Sequence, residues 1–218
     1  MQSQSSQPKP TRGHRQRQRT RSAILEAGQR LLASRPLEGI TIDDIVAEAD
    51  VAKGSFYNHF SDKEELARSI QELVQGDCEF HIFSANADIT DPPQRIARAL
   101  CVMLRYAQAH PDRLQAVLSM TERKTTADSP LNVGLSSDIR HGIEGGRLKH
   151  IDQETGVLVV LGLISLTIAH LMSGHSGATA PELGLKMGTA LLRSLGLEQA
   201  EAEGIASDAV AGLLEERP

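Results

Sequence analysis

The chain contains no tryptophan, and aromatic residues make up only 3% of its 218 positions. No aromatic residue follows Tyr106. With rings so scarce, leucine, alanine, isoleucine and valine must fill the core, and plentiful alanine and leucine favour helix over sheet. Cysteine is scarce as well. Cys78 and Cys101 lie far apart and form no CxxC pair, which excludes a disulfide framework and fits a reducing cytosol. The polar N-terminus has no signal-peptide pattern, so a cytoplasmic location is expected. The apolar stretch Gly156 to Met172 is shorter than the ~20 residues of a membrane span and carries Ser165, Thr167 and His170. It reads as a buried helix, with no membrane partner. His81, His110, His141, His150, His170 and His175 are scattered, and neither paired carboxylates nor a nucleophile motif accompanies them. An enzyme, a catalytic residue, a metal site and a cofactor are therefore not expected.

What is present begins with charge. The net charge of -5 conceals an asymmetry: residues 1–35 hold eight Lys or Arg against one acid, Glu26, so the remainder is strongly acidic. A basic segment on an acidic body implies an anionic partner engaged at one end.

Residues 1–15 lack apolar side chains and read as a disordered basic arm. From Arg17 a helical period places Ile24, Leu25, Gly28, Leu31 and Leu32 on one stripe, ending near Ser34 because Pro36 disfavours helix at Arg35. Thr41 caps the next helix, with Asp44 three residues on and Ile42, Ile45, Val46 and Ala49 as its apolar face. After a break at Asp50 to Ala52 comes a short helix from Lys53 to about His59. Ser61 and Glu64 are expected to box the following helix, whose face is Leu66, Ile70, Leu73 and Val74. Further helices follow Asp91-Pro92-Pro93 and His110-Pro111, and another carries Leu135, Ile139 and Ile143, closing at Gly145-Gly146. Thr125 to Gly134 reads as a loop. Residues 152–173 are apolar nearly all round, and such a helix must be covered on every side, which a partner subunit would do. Helices over 181–196 and around Ile205, Ala209, Val210 and Leu213 complete an all-α chain with no repeat.

Residues 41–60 read TIDDIVAEADVAKGSFYNHF. Ile42, Ile45, Val46 and Ala49 bury one short helix, and Val51 and Phe56 plug a second against it. The outward residues Lys53, Ser55, Asn58 and His59 can each hydrogen-bond a phosphate or a base edge. Gly54 lets the helix N-terminus approach a phosphate, and Tyr57 carries a hydroxyl on a rigid arm. The run resembles the DNA-binding segment of TetR-family (tetracycline-repressor-like) regulators. It matches at Thr41, Ile45, Val51, Lys53, Gly54, Ser55, Phe56, Tyr57, His59 and Phe60, and continues through Ser61-Asp62-Lys63-Glu64-Glu65-Leu66. The likeness is strong over residues 17–75; beyond them only helix number and order agree. Two departures stand out: Asp50 occupies a left-handed turn position often held by Gly, and Ala52 replaces the frequent Ser cap.

The resemblance implies a three-helix DNA-binding domain with a helix-turn-helix over residues 16–62. A helical effector-binding and dimerisation domain follows over residues 63–218. It implies a repressor that binds palindromic double-stranded operator DNA as a homodimer and is released by a small-molecule effector. Thr41, Tyr57 and Lys63 become phosphate contacts, Lys53 a phosphate or guanine contact, and Ser55, Asn58 and His59 base-edge contacts. Arg15, Arg17, Arg19 and Arg21 would lie along the backbone or enter a minor groove. Met103, Tyr106, Met120, Leu163, Thr167 and His170 are the candidate pocket residues. Val157, Val160, Leu161, Ile164, Ile168, Met187 and Leu191 are the candidate dimer interface. Other readings remain open: a metal site from Cys78 and His81, a redox sensor using Cys78 and Cys101, and a protein–protein adaptor without DNA binding.

Overall fold

The computed structural model describes residues 12–118, 132–174 and 177–215. Among them it shows helices only. The order is α1 (Arg12–Ser34), a 3-10 turn (Leu37–Gly39), α2 (Ile42–Glu48), α3 (Lys53–Tyr57), α4 (Lys63–Ala85), α5 (Pro92–Ala109), α6 (Pro111–Leu118), α7 (Val133–Glu144), α8 (Gln153–Met172), α9 (Ala180–Ser194) and α10 (Gln199–Leu213).

Helices α1 to α3 form a small head. Its centre is Ile24, Leu32, Ile45, Phe56 and Phe60, all nearly inaccessible to solvent. The start of α4 closes it: Leu66 and Ile70 press so closely on Gly28 of α1 that a Cβ there would lie 2.8 Å from a Leu66 methyl. The same apolar cluster continues without interruption into Tyr106 of α5, Leu114 and Ala116 of α6 and Ile168 of α8. The head therefore sits directly on α4 and α6. In the body, α5 is central, with Ile96, Ala97, Leu100, Cys101 and Leu104 buried among α8, α9 and α10. Arg95 ties α5 to Asp138 of α7 at 2.7 Å, and Arg147 bridges Asp91 and Glu201 at 2.7 and 2.6 Å. These bonds hold the outer helices to the ends of the core.

Four expectations are corrected. The basic arm is already helical from Arg12, so Arg15, Arg17, Arg19 and Arg21 are helix residues; residues 1–11, like Met120, lie outside the described ones. On a helix these four arginines fall on two sides, Arg15 with Arg19 and Arg17 with Arg21. The box opening α4 is shifted by one residue: Asp62 is the cap, accepting from the Glu65 amide, while the Glu65 carboxylate accepts from the Ser61 amide. Leu73 is 55% exposed, off the buried stripe of Leu66, Ile70 and Val74.

The fourth concerns α8. It is, among the described residues, the one helix long and apolar enough to cross a membrane. Its inner side packs within the subunit, which buries Val157, Val160 and Ile168 and partly covers Leu161 and Ile164. Leu191 of α9 is buried too, and Met187 is half-buried against Leu100 and Leu104. The residues expected to meet a second subunit are thus mostly core. The uncovered stripe of α8 is Leu158, Gly162, Leu166, Ala169 and His170, with Leu158 46% and Leu166 69% exposed. Leu185 of α9 is exposed as well.

One junction is especially intolerant. Gly196 ends α9 at φ +93°, and a Cβ there would run into the Lys149 backbone, whose amide donates to the Leu195 carbonyl at 3.1 Å. Gly196→Ala combines a left-handed penalty with overpacking and is expected to cost about 2–4 kcal/mol. A thermal melt should drop by roughly 5–15 °C.

Candidate nucleic-acid interface and the cavity behind it

The geometry of the head follows from its caps. Thr41 opens α2 with a reciprocal box: its hydroxyl accepts from the Asp44 amide at 3.1 Å, and the Asp44 carboxylate accepts from the Thr41 amide at 2.9 Å. These bonds and nearby Arg35 hold the Asp44 carboxyl below the usual carboxylate range. Helix α2 ends in a Schellman turn, in which Val51 N–H reaches Val46 O at 3.0 Å and Asp50 N–H reaches Ala47 O at 3.3 Å. Asp50 adopts φ +52°, as the turn requires. Ala52 caps α3 without a side-chain hydrogen bond. The five-residue α3 is therefore held chiefly by Phe56, fully buried against Phe60 with ring centres 5.8 Å apart.

Once Phe56 is fixed, helical spacing turns the other residues of α3 outward. Tyr57 is 54% exposed, with its ring edge-on to Phe56. Gly54 faces open space, since nothing lies within 4 Å of where its Cβ would be. Lys53 is exposed and paired with Asp43 at 2.7 Å, which raises its pKa. Asn58 is exposed, and Ser55 and His59 are half-buried. Arg17 of α1 donates to the Asn58 carbonyl at 3.4 Å, and Arg21 lies 5.0 Å over the Phe60 ring. The structure thus brings Arg17, Lys53, Gly54, Ser55, Tyr57, Asn58 and His59 together around α3. Lys63 stands apart: it is half-buried, and its ammonium donates to the Leu37 and Ile40 carbonyls at 2.9 Å each. It ties the 3-10 turn to α4. Sequence reasoning gave no sign of this, because the acceptors are backbone atoms more than 20 residues away.

Behind the head, α4 to α8 line a partly open cavity of about 420 Å³. One wall is a single face of α4, with Gln71, Val74, Gln75, Cys78, Glu79 and Ile82 at helical spacing. Of the expected pocket residues Met103 lines it. Tyr106 is buried elsewhere, its hydroxyl donating to Asp77 at 2.8 Å alongside Arg113, and burial pushes its pKa up to about 12. Thr167 is buried with its hydroxyl on the Leu163 carbonyl, Leu163 itself does not reach the lining, and His170 is exposed. Val160, Leu161, Ile164 and Ile168, expected at a dimer interface, line the cavity instead. Both thiols are buried, and desolvation pushes each up to about 12, so neither is a thiolate at neutral pH. Among the described residues no group of three or more His, Cys, Asp or Glu could hold a metal ion.

Residues 24–70 match the family model of bacterial regulatory proteins, tetR family, and residues 91–208 match the tetracyclin repressor-like C-terminal domain. The HTH-type transcriptional repressor DhaR of Mycobacterium sp. (strain GP1) is 36% identical over 75 residues, which cover 34% of this chain and 38% of that one. The chain spans well under two thirds of the length of the curated relatives it matches. A tetR family transcription regulator from Shewanella sp. PV-4 superposes with a TM-score of 0.73 at 19% identity, covering 82% of this chain and 99% of that one. AibR, solved in complex with isovaleryl coenzyme A and operator DNA, does so with a TM-score of 0.62 at 21% identity, covering 77% and 95%. These two likenesses show the fold.

His59 gives the head a pH dependence. Burial, then Arg17 and Arg21, hold its pKa below the ordinary histidine value of 6.5. As pH falls, the unfolded chain takes up this proton first, so stability present above the ordinary pKa is lost below it. Between about pH 7 and about pH 5 the wild-type melting temperature should fall further than that of His59→Gln. Parallel pH slopes for the two proteins would remove His59 from the account.

Proposed function

Since the chain belongs to the TetR family of bacterial regulatory proteins, we propose that it is a dimeric cytoplasmic repressor of a palindromic operator, released by a small molecule entering the cavity behind α4. The observation that carries the DNA-binding half is the outward edge of α3. A half-exposed tyrosine and an open glycine stand on a helix whose opposite side is clamped by Phe56. Exposing a ring has no folding rationale, whereas a hydroxyl on a rigid arm beside Lys53 suits a phosphate. Thr41 and Tyr57 are assigned to phosphates, Lys53 to a phosphate or guanine, and Ser55, Asn58 and His59 to base edges. Arg17 and Arg21 extend the positive edge from α1. Lys63 is reassigned to holding the 3-10 turn, because its ammonium is already committed there.

One head reads few bases, and a two-fold dimer doubles the site and calls for a palindrome. The uncovered stripe of Leu158, Leu166 and Leu185 supplies the apolar face for such pairing. For release, a ligand must favour one of two arrangements of the heads. Helix α4 is the physical link, since it contributes both to the head's core and to the cavity wall. Among structural neighbours, AibR was solved with both a small molecule and operator DNA, which supports this pairing of sites.

Selection from a random DNA pool, read by fluorescence anisotropy over a salt series, tests the head. A single palindrome should be enriched, its affinity should fall steeply with salt, and Tyr57→Ala should weaken it by about tenfold. Weak binding at low salt with no enriched sequence would reject DNA recognition. Sedimentation tests the pairing: Leu166→Asp should yield monomers that keep their helical content, and a dimer surviving that change would rule out the α8 stripe.

A further inference from the structure

The cavity has a chemistry as well as a volume. Most of its wall is apolar, through Val74, Ile82, Ile96, Met103, Ile164 and Ile168. Its size lies within the roughly 300–1,000 Å³ typical of small-molecule sites. Against this apolar wall one polar atom stands out. Gln75 Oε1 is buried and, among the described residues, has no hydrogen-bond partner. Nearly all buried acceptors are satisfied, and leaving one unpaired is costly. Gln75 lines the cavity, so a turn of its side-chain amide would offer this orphan acceptor to a ligand's donor.

The charged groups narrow the class further. Among the described lining residues the only cation is Arg95. Its guanidinium donates to Asp138 at 2.7 Å and to the Asn86 and Ile89 carbonyls at 3.0 Å each. A ligand carboxylate would have to take Arg95 from Asp138, which also lines the cavity and would be left charged and unpaired. Glu79, an exposed residue, adds a second carboxyl, and partial desolvation raises its pKa. A fixed anion therefore meets two carboxyls and no uncommitted cation. An ammonium ion would meet Glu79 only at an exposed position, and desolvating the ion into the apolar wall is costly.

We infer that the cavity takes an uncharged, predominantly apolar molecule that presents one hydrogen-bond donor to Gln75 Oε1: an alcohol, a phenol or a secondary amide, and not a carboxylate. This rests on the cavity being the effector site proposed above. It deepens that reading by giving α4 a polar contact at Gln75, nine residues beyond the Leu66 that packs on the head.

Matched probes test the class by direct binding to the full chain without DNA, using calorimetry and thermal shift. One set is decan-1-ol, its methyl ether and decanoate; a flat set is 2-naphthol, 2-methoxynaphthalene and 2-naphthoate. In at least one set the hydroxyl compound should bind about tenfold tighter than its ether, the ratio that one hydrogen bond supplies. The carboxylate should bind weakest at neutral pH. Gln75→Met, close in size and unbranched, should bring the hydroxyl-to-ether ratio to about one while leaving ether binding within about twofold. Gln75→Leu repeats the comparison should the first variant melt early. The inference is overturned by an ether or a carboxylate that equals the alcohol, by a ratio that survives both variants, or by no binding in either set. Operator selection by the ligand-free protein is measured separately. If it succeeds while the probe series fails, the regulator reading stands and the ligand class falls; if it fails while the hydroxyl preference holds, the reverse is true.

Discussion

The continuity of α4 constrains everything else in the molecule. Its 23 residues make a rod of about 35 Å with unbroken backbone hydrogen bonding. At one end Leu66 and Ile70 complete the head's core against Gly28; further along, Gln75, Cys78 and Ile82 form a cavity wall. A rod cannot tilt at one end alone. Whatever displaces the wall shifts the seat of α1, unless the helix breaks, and nothing in its sequence invites a break: it contains no proline, and its one glycine, Gly76, faces open space. The Asp77 carboxylate, held by Tyr106 of α5 and Arg113 of α6, fixes the middle of the rod to the body. Helix α6 in turn packs on α1, so the head rests on two supports that meet at Asp77.

The reading edge shows how little structure is needed to present a few side chains accurately. One Schellman turn, one threonine cap and one buried phenylalanine orient α3, although Ala52 gives it no side-chain cap. Lys63 and Arg17 supply what the cap does not. Lys63 ties the turn that precedes α2, and Arg17 reaches the carbonyl at the end of α3. A cation satisfying exposed carbonyls at a helix end also opposes the local negative end of the helix dipole.

How far the sequence was legible depends on whether a segment had two distinct faces. Helices α2 and α3 alternate sharply between apolar and polar residues, so their caps, the turn at Asp50 and the outward set around Tyr57 all lie where the spacing places them. Helix α8 is apolar almost throughout, and hydrophobicity then carries no phase. Val160, Ile164 and Ile168 are indistinguishable by composition from Leu158 and Leu166, yet the first three line a cavity and the other two face water. The cavity lining is hard to read from sequence for a related reason. Its polar members, Gln75 and Glu79, lie on a helix whose pattern looked explained by the head, and Tyr106, a natural pocket candidate, is occupied with Asp77. The tie made by Lys63 is invisible in the sequence because its partners are main-chain oxygens, which sequence does not advertise.

The bare stripe on α8 also bears on how long a copy of this chain survives. A subunit on its own keeps Leu158 and Leu166 in water, a surface that chaperones and proteases recognise and that promotes irregular clumping. Where a second copy covers that stripe, folding stability rises with protein concentration by mass action. With the pairing proposed above, abundance would act twice, setting how many copies can occupy DNA and how quickly each unpaired one is destroyed. A small drop in synthesis would be amplified into a larger drop in the working population.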